Sequence, residues 1–317
     1  MKDPEMRQLR YFVAVAEELN FSRAAARLGI AQPPLSRAIR ELERQLGVQL
    51  FERSRRHVAL TRAGIILLED ARNLLDAVAA AAHRARNAGR ESPVLRIALK
   101  ADYDAGLLPD LLDAYRSTDD ALPVDLVLGG RGDQVLALRT GRADVALIPT
   151  PFDDSGFDLE PLVTEERVVA LAANDPLAAR TRLRLIDLAG RVQPDGSPAD
   201  HGVTAELFAA AGLQSGPAPM GPEDTAGSKD QPLDLAKIFH LVELGAIVWF
   251  PPLSVAQRHP RRHVAYLPVV DLPATTFTLA WPTAPRSRAV ADFVRAATTV
   301  VRNAGQRERE VADRDMS

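Results

Sequence analysis

The sequence predicts an α/β protein with an N-terminal winged helix-turn-helix, a long linker helix and a larger body of alternating strands and helices. Residues 21–46, FSRAAARLGIAQPPLSRAIRELERQL, have the pattern of two short helices joined by a tight turn. Residues 61–89 form one helical stretch with apolar residues at alternating spacings of three and four. Beyond residue 94, short apolar runs alternate with helical segments, which is typical of parallel β-α-β units.

The helix-turn-helix is predicted from its turn and its apolar stripe. We expect Ser22 to cap the first helix, Gly29 to turn the chain at positive φ, and Gln32 to cap or open the second helix. Pro33 and Pro34 fit only in a first turn, where a missing N–H is harmless. The spacing predicts a buried stripe of Leu35, Ile39, Leu42 and Leu46. The opposite, polar face then carries Ser36, Arg37, Arg40, Glu43 and Arg44. Such a face fits a DNA major groove, and an ordinary helical hairpin in another core is the alternative.

A β-hairpin wing is predicted directly after this motif. Residues 47–51 alternate like a strand, residues 52–57 form a turn, and residues 58–60 return as a second strand. The predicted tip carries three arginines, Arg53, Arg55 and Arg56. Arginines on a wing can reach phosphates or a minor groove, whereas the simpler interpretation is a solvated turn.

The linker helix is expected to begin after a Thr61 cap and to stop near Gly89. Its apolar seam consists of Leu68, Ala71, Leu75, Val78, Ala82 and Ala85. Alanines in a heptad seam allow a partner helix to approach closely, so we expect dimerisation through this helix. A helix buried against its own domain is the alternative.

Composition and charge exclude several classes of protein. The 317 residues are 46% hydrophobic and 26% charged, and the chain contains no cysteine, which excludes disulfides, zinc–thiolate sites and thiol nucleophiles. Residues 1–60 hold 11 Lys/Arg against 7 Asp/Glu, net +4, so the remainder of this −3 chain carries −7. A basic head on an acidic body fits a DNA-binding head, although an excess of this size also arises by chance. Without an apolar signal segment or a run of about 20 apolar residues, a cytoplasmic protein that does not enter a membrane is expected.

The body is predicted from its alternating pattern. Strands are expected at 94–99, 123–128, 143–148, 168–172, 246–250 and 277–281, and helices at 106–115, 135–140, 185–188, 206–211, 235–244 and 287–302. Residues from 303 on have the composition of a frayed polar tail. The Gly- and Pro-rich stretch 214–232 is expected to be a long loop.

The order of these parts resembles the LysR-type transcriptional regulators. The likeness is strongest in LRYFVAVAEELNFSRAAARLGIAQPPLSRAIRELERQLGVQLFER and the following LTRAG, and it continues more weakly through LRIAL, GLLP, GRADVAL and LVELGAIVWFPP, over about residues 6–302. It implies a DNA-binding domain at 1–61, a linker helix at 62–91, a two-lobed periplasmic-binding-protein-like effector domain at 92–302 and a polar tail at 303–317. Lobe I would comprise about 94–162 plus 268–302, and lobe II about 163–267.

The same resemblance implies partners. Double-stranded promoter DNA would be bound at pseudo-palindromic sites, and a small-molecule effector in the interlobe cleft would change how that DNA is bent. Such proteins form homodimers through the linker helix and usually homotetramers, and RNA polymerase is a candidate further partner. No cofactor is implied.

The resemblance also assigns DNA-binding residues. The motif itself contributes Gln32, Pro33, Pro34, Ser36 and Arg37, and chemistry agrees: glutamine reads an adenine edge, arginine reaches guanine or phosphate, and proline touches a thymine methyl. Ser22 and Arg23 would lie at a helix N-terminus, a natural phosphate contact. Arg40 on the polar face and Arg53, Arg55 and Arg56 of the predicted wing complete the set from the sequence pattern itself, and the resemblance implies that Arg56 lies at the position expected over a minor groove.

For the effector, the resemblance points to the loops after two body strands. Many relatives that bind aromatic carboxylates have small hydroxyl residues there, but this chain has Asp102 and Arg131. We hypothesise that Arg131 pairs with an anionic group and Asp102 with a donor of the same ligand, as an amino or hydroxy acid offers. The alternative is that the two side chains pair with each other. The candidate set is Lys100, Ala101, Asp102, Tyr103, Gly130 and Arg131, with Ser197 from lobe II.

Two other classes of function, an enzyme and a small-molecule-binding protein, fit the sequence less well. His259 and His263 have a metal-like spacing, but the surrounding arginines of RHPRRH would repel a cation, so we interpret both as surface histidines. Residues 129–132, GGRG, lack the Lys-Ser/Thr of a phosphate-binding loop, and no serine nucleophile motif occurs, so neither catalytic nor metal residues are expected. The alternative to a regulator is a solute-binding-like small-molecule-binding protein without DNA function. Specific, salt-dependent DNA binding would separate the two.

Overall fold

The computed structural model describes residues 3–53, 57–89, 92–130, 132–201, 234–284 and 287–315, and not the side chains of residue 88 or residues 305–315. The predictions for Arg55, Arg56, Arg131, the helix at 206–211 and the loop at 214–232 therefore lie outside the described residues. The chain divides into two compact units. The first comprises Met1–Glu91 with Arg139–Gly141, and the second comprises Ser92–Leu138 with Arg142–Ser317.

The N-terminal unit is a helical core with a small hairpin. Its elements are α1 (Met6–Glu18), α2 (Phe21–Arg27), α3 (Gln32–Leu46), β1 (Phe51–Arg53), β2 (Val58–Leu60) and α4 (Arg62–Ala88). Phe12, Leu35, Ile39 and Leu42 are fully buried at its centre, which confirms most of the predicted stripe. Gly29 and Gly47 end their helices at φ 66° and 70°, as predicted.

Four local predictions in this unit are wrong. Asn20, not Ser22, caps α2, because its side chain accepts the N–H groups of Ser22 and Arg23. Leu46 is 37% exposed, because Gly47 ends α3 directly after it and the chain leaves the core. Glu43, assigned to the polar face, is buried. The first wing strand is Phe51–Arg53 instead of 47–51, paired antiparallel with Val58–Leu60.

Helix α4 has two different halves. Thr61 caps it as predicted, with its hydroxyl accepting the N–H of Gly64. Ala71 is buried in the helical core and Leu68 packs against it, so the first part of the predicted seam belongs to its own domain. Further along, Val78 and Leu74 are 44% and 53% exposed. The alternative interpretation therefore holds for the first half of the seam, and the second half presents apolar surface.

The C-terminal unit contains a five-stranded sheet. Its first part consists of β3 (Leu95–Lys100), α5 (Leu108–Arg116), β4 (Val124–Gly129), α6 (Asp133–Arg139), β5 (Val145–Pro149) and β6 (Phe157–Glu165). The order is β4-β3-β5-β9-β6, where β9 is Thr275–Pro282. Strand β3 pairs parallel with β4 and β5, which confirms the predicted β-α-β units. Strand β9 pairs antiparallel with β5 and β6.

The remaining elements complete the C-terminal unit. They are β7 (Val168–Ala172), short 3-10 helices at Pro176–Ala179 and Leu185–Leu188, α7 (Leu235–Glu243), α8 (Leu253–Arg258), β8 (Val264–Pro268) and α9 (Arg288–Asp315). Strands β7 and β8 pair antiparallel. Helix α9 packs on α5, with the Tyr115 and Phe293 rings 5.5 Å apart.

Three expectations for the body are corrected. Residues 247–250 are buried as predicted, but they do not form a strand: Trp249 makes an isolated antiparallel bridge to Ala170, and the Val248 N–H donates to the Val192 carbonyl. Strands β6 and β8 were not predicted; β6 contains a proline, tolerated where the pairing register with β9 shifts after Pro161. The terminal helix continues to Asp315 instead of ending at residue 302, because its Arg, Glu and Ala residues are good helix formers.

Candidate nucleic-acid interface and effector loops

The first turn of α3 presents the polar groups of the predicted recognition face. Pro33 and Pro34 occupy this turn, and Gln32, Pro33 and Pro34 are exposed. Arg37 and Arg40 are also exposed, and within the described part of the chain neither makes an ion pair. Ser36 is half-buried, with its hydroxyl 3.5 Å from the Gln32 amide nitrogen, a long and weak hydrogen bond. These side chains are available for a ligand because little else in the chain holds them.

The N-terminus of α2 is less available than expected. The side chain of Asn20 accepts the N–H of Ser22 at 2.9 Å and that of Arg23 at 3.0 Å. The Arg23 guanidinium donates to the Glu18 carbonyl at 2.6 Å. A phosphate at this helix end would therefore meet the exposed Ser22 hydroxyl rather than two unpaired backbone N–H groups.

Arg53 does not lie at the wing tip. It is part of β1, and its guanidinium donates to the buried Glu43 carboxylate at 2.7 Å. The same guanidinium stands over the Phe21 ring, 5.0 Å from its centroid. Arg53 is therefore held inside the domain, and its predicted DNA contact would compete with a charge-assisted hydrogen bond.

An ion-pair network ties α1 to two neighbouring helices. Glu17 accepts from Arg72 of α4 at 2.8 Å and forms a 2.8 Å ion pair with Arg27 of α2. Burial by itself would raise the pKa of Glu17, but the hydrogen bonds from Arg72 and Arg27 outweigh it and hold this pKa below its ordinary value. The network fixes the helices that carry the recognition motif.

The loop after β3 contains most of the predicted effector residues. Tyr103 is buried, and the Lys100 ammonium lies 3.7 Å from the centroid of its ring. Ala101 is exposed and Asp102 adopts φ 64°, an uncommon left-handed conformation for a non-glycine residue. In open α/β sheets, ligands bind beyond the carboxyl ends of parallel strands, and this loop lies at that end of β3.

Asp102 lies beside Arg258 and His259, and from the sequence His259 was interpreted as a surface histidine. Its carboxylate lies 3.3 Å from His259 Nε2 and 3.6 Å from Arg258 Nη1. Arg258 also pairs with Asp104 at 2.8 Å, and the Asp104 side chain is only 9% exposed. His259 is half-buried, with its ring 5.5 Å from that of Phe239, so its interpretation as a surface histidine is wrong. Only the RHPRRH charge cluster hinted at Arg258, and no local signal connected it to the loop after β3.

The other predicted effector residues are held locally. The Gly130 N–H donates to Asp133 at 2.7 Å, and its carbonyl accepts from the Gln134 amide at 2.9 Å. Ser197 donates its hydroxyl to Asp195 at 2.5 Å and accepts from the Gln193 amide at 3.0 Å. No group of three metal-ligating side chains occurs among the described residues.

A groove of about 440 Å³ lies elsewhere, between α5 and α9. Its lining is largely charged, with Asp120, Asp292, Arg288 and Arg295 paired among themselves. None of the predicted effector residues lines it. The loop after β3 is the better candidate for the effector site, because it lies at the carboxyl end of a parallel strand.

A winged helix-turn-helix, a long helix with exposed apolar residues and an α/β body together define a DNA-binding regulator with a ligand-responsive domain. Residues 6–65 match the model described as bacterial regulatory helix-turn-helix protein, lysR family. Residues 88–302 match the model described as LysR substrate binding domain. The chain belongs to the LysR family of transcriptional regulators, which are not enzymes.

Named relatives support this membership. The chain is 31% identical to the Hca operon transcriptional activator HcaR of Escherichia coli over 92% of this chain and 96% of that protein. It is 35% identical to the regulator TfdS of Cupriavidus pinatubonensis over 80% and 83% of the two chains. With the regulator BenM of Acinetobacter baylyi the identity is 38%, over 55% of this chain and 57% of BenM.

Solved structures agree. A mutant of full-length BenM matches with a TM-score of 0.50 and 28% identity, over 95% of this chain and 97% of that one. CbnR, a LysR family transcriptional regulator, matches with a TM-score of 0.50 and 26% identity, over 92% and 98%. In the described parts of the chain, the helices fall short of the length and apolar character that a membrane span requires.

Proposed function

We propose that α3 binds promoter DNA through Gln32, Pro33, Pro34, Ser36 and Arg37. The observation that carries this proposal is the exposed first turn of α3 together with the exposed guanidinium of Arg37, which forms no ion pair with any residue that the structure describes. Arg40 and the Ser22 hydroxyl extend the same face toward phosphates, with Arg23 as a weaker contributor because Glu18 holds its guanidinium. Arg55 and Arg56 complete the proposed interface at the wing.

This proposal is tested with a fluorescent duplex from the DNA upstream of the protein's own gene. Wild-type protein is expected to bind it far more tightly than scrambled DNA, with affinity falling steeply as salt rises. Arg37→Ala is expected to lose most of this preference. Arg84→Ala removes an exposed arginine of α4 and is the matched control. Equal binding by wild type and Arg37→Ala would contradict the assignment of Arg37.

The exposed half of α4 supports a homodimer. Leu74 and Val78 present apolar side chains on this half of the helix, and Ala82 and Ala85 continue the small-residue seam. A second copy of the same helix buries this seam at close distance. We extend the proposal to a tetramer on family membership, with RNA polymerase as a further partner of the DNA-bound assembly and the cytoplasm as its location.

The effector domain is proposed to consist of two lobes, residues 94–162 plus 268–302 and residues 163–267. In this division, Asp102 and Asp104 of lobe I pair with Arg258 and His259 of lobe II. An effector entering at the loop after β3 meets a carboxylate that is already held. An anionic effector would compete with these two aspartates for Arg258, and a cationic group would compete with Arg258 for Asp102.

Titration calorimetry on the full chain tests this arrangement. Small carboxylic, amino and hydroxy acids are screened against wild type, Arg258→Gln and the matched control Arg262→Gln, since Arg262 is an exposed neighbour. The proposal expects Arg258→Gln to change the affinity for the ligand that binds, whereas Arg262→Gln leaves it unaltered. Arg131→Ala, included in the same series, tests the sequence-based hypothesis for that residue. A ligand whose affinity is the same in all four proteins would refute both assignments.

A further inference from the structure

Glu43 is a carboxylate on the recognition helix that is almost completely buried. Its side chain is 4% exposed, and it does not belong to the proposed DNA-contacting residues. One carboxylate oxygen, Oε1, accepts the N–H of Leu50 at 3.0 Å and the N–H of Phe51 at 3.3 Å. The other, Oε2, accepts from Arg53 at 2.7 Å. Three donors satisfy this buried charge, and all three belong to the start of the wing.

The contact chain continues past Arg53 into a third element. The Arg53 guanidinium stands over the ring of Phe21, the first residue of α2. Phe21 in turn packs edge-on against Phe51 of β1, with ring centroids 5.9 Å apart. One side chain of α3 therefore connects the recognition helix, the wing strand and the start of α2.

This position separates Glu43 from direct DNA contact. A buried anion cannot reach a phosphate, and its charge would repel one. Its hydrogen bonds instead fix where β1 leaves α3, and thereby where the wing stands relative to the first turn of the recognition helix. A groove-reading helix and a wing gain affinity together only when their spacing matches the DNA in advance.

We propose that Glu43 is a positioning residue for DNA binding, and that Arg53 acts with it inside the protein instead of contacting DNA. The proposal rests on the DNA-binding face assigned to α3 above. Glu43→Gln keeps an oxygen that accepts the N–H groups of Leu50 and Phe51. The substitution removes the negative charge that binds Arg53, and it places an NH2 donor opposite the Arg53 guanidinium. The substitution therefore weakens the contact between Glu43 and Arg53 that holds the start of the wing, while the apolar core of the N-terminal unit is unaltered.

Fluorescence anisotropy of the full chain with the promoter duplex tests the proposal. Glu43→Gln and Arg53→Gln are each expected to weaken binding on the order of 10-fold. The double variant is expected to bind the duplex with no lower affinity than the single variant that binds less tightly, because both substitutions break the same contact between Glu43 and Arg53. Glu41→Gln is the matched control, since Glu41 lies on the same helix and also pairs with an arginine, Arg44, but its side chain is 40% exposed. The control is expected to bind like wild type.

A second duplex, shortened by about half a helical turn at each outer end, distinguishes positioning from general destabilisation. The difference between wild type and Glu43→Gln should shrink on this duplex, because it lacks the flank that a wing would contact. A domain that is merely less stable loses affinity on both duplexes alike. Circular dichroism of each variant confirms the folded state; if Glu43→Gln fails to fold, Glu43→Asp, which keeps the charge but shortens its reach toward Arg53, takes its place in both comparisons.

Each remaining outcome has a definite meaning. If Arg53→Gln weakens binding while Glu43→Gln binds like wild type, Arg53 contacts DNA itself and the proposal is wrong. Additive losses in the double variant, or an undiminished difference on the short duplex, overturn it as well. If wild type itself shows no salt-dependent binding, the proposed DNA face fails first, and that result is distinct from equal binding by wild type and Glu43→Gln.

Discussion

Gly64→Ala is expected to destabilise the N-terminal unit, because no room exists for a methyl group at this position. Gly64 lies in the first turn of α4 and donates its N–H to the Thr61 hydroxyl. A Cβ built on Gly64 would be 2.2 Å from the Leu50 carbonyl oxygen and 2.9 Å from a methyl carbon of Leu60. The Leu50 oxygen is itself bonded to the Thr61 N–H at 3.0 Å, so it cannot withdraw alone.

The size of the effect follows from the movement required. The start of α4 must shift by roughly 1 Å to restore contact distance, which overpacks the junction at a cost of about 1–3 kcal/mol. Stretching the Thr61–Leu50 hydrogen bond adds about 1 kcal/mol, and the better helix propensity of alanine returns a similar amount. We therefore expect a net loss of about 1–3 kcal/mol in the free energy of unfolding of this unit.

Hydrogen–deuterium exchange of the full chain measures this loss without requiring two-state unfolding of a two-unit protein. Exchange of the most protected amides of α1 and α3 should accelerate by about 5- to 150-fold in Gly64→Ala. Gly89→Ala is the control, since Gly89 has φ −85° and its added Cβ meets nothing closer than 3.7 Å. If both variants exchange like wild type, the steric argument is refuted.

Three further predictions concern charge and association. Arg258→Gln leaves the buried Asp104 without its 2.8 Å partner, so the free energy of unfolding of the C-terminal unit, measured in urea, should fall by about 1–3 kcal/mol. Adding Asp104→Asn should recover most of this loss, and the absence of any recovery would disprove the pairing. Val78→Glu places a charge in the exposed seam of α4 and should shift sedimentation toward the monomer, whereas an unchanged sedimentation coefficient would place the dimer contact elsewhere. The pKa of Glu17 is lower in the folded state than in the unfolded state, so its carboxylate stabilises the fold above the unfolded-state pKa, and this stabilisation is lost as the pH falls through the folded-state pKa. Glu17→Gln should therefore flatten the acid side of the curve of stability against pH. An unaltered curve would contradict the network.

Much of the helix-turn-helix was predictable because its signals are local. Gly29, the two prolines and the apolar spacing of α3 each act within a few residues. The wrong predictions concern contacts between elements. Ser22 and Asn20 are both good caps, and the choice between them depends on where α1 ends. The burial of Glu43 depends on where β1 lies against α3, and the spacing of residues within α3 gives no information about that position.

The effector region was predictable in position but not in chemistry. The loop after β3 follows from strand order, and Asp102 was selected for its unusual charge. Its partners, Arg258 and His259, are distant in sequence and stand in a charge-rich segment typical of surfaces. Only the folded chain brings these groups together. Strand β6 escaped prediction for a similar reason, because Pro161 is tolerated only through the pairing irregularity with β9.

The position of β9 in the sheet also affects the order in which the two units can fold while the protein is being synthesised. The N-terminal unit is complete within its first 91 residues apart from one short segment, but β9, which joins β5 to β6, spans residues 275–282. At 5–20 residues per second, the ribosome needs roughly 10–40 s to pass from the end of the first unit to the end of β9. During that interval the nascent chain carries a folded DNA-binding head before its five-stranded sheet can close. A chain truncated before Thr275 is therefore expected to retain the head and to lose the sheet that supports control by a ligand.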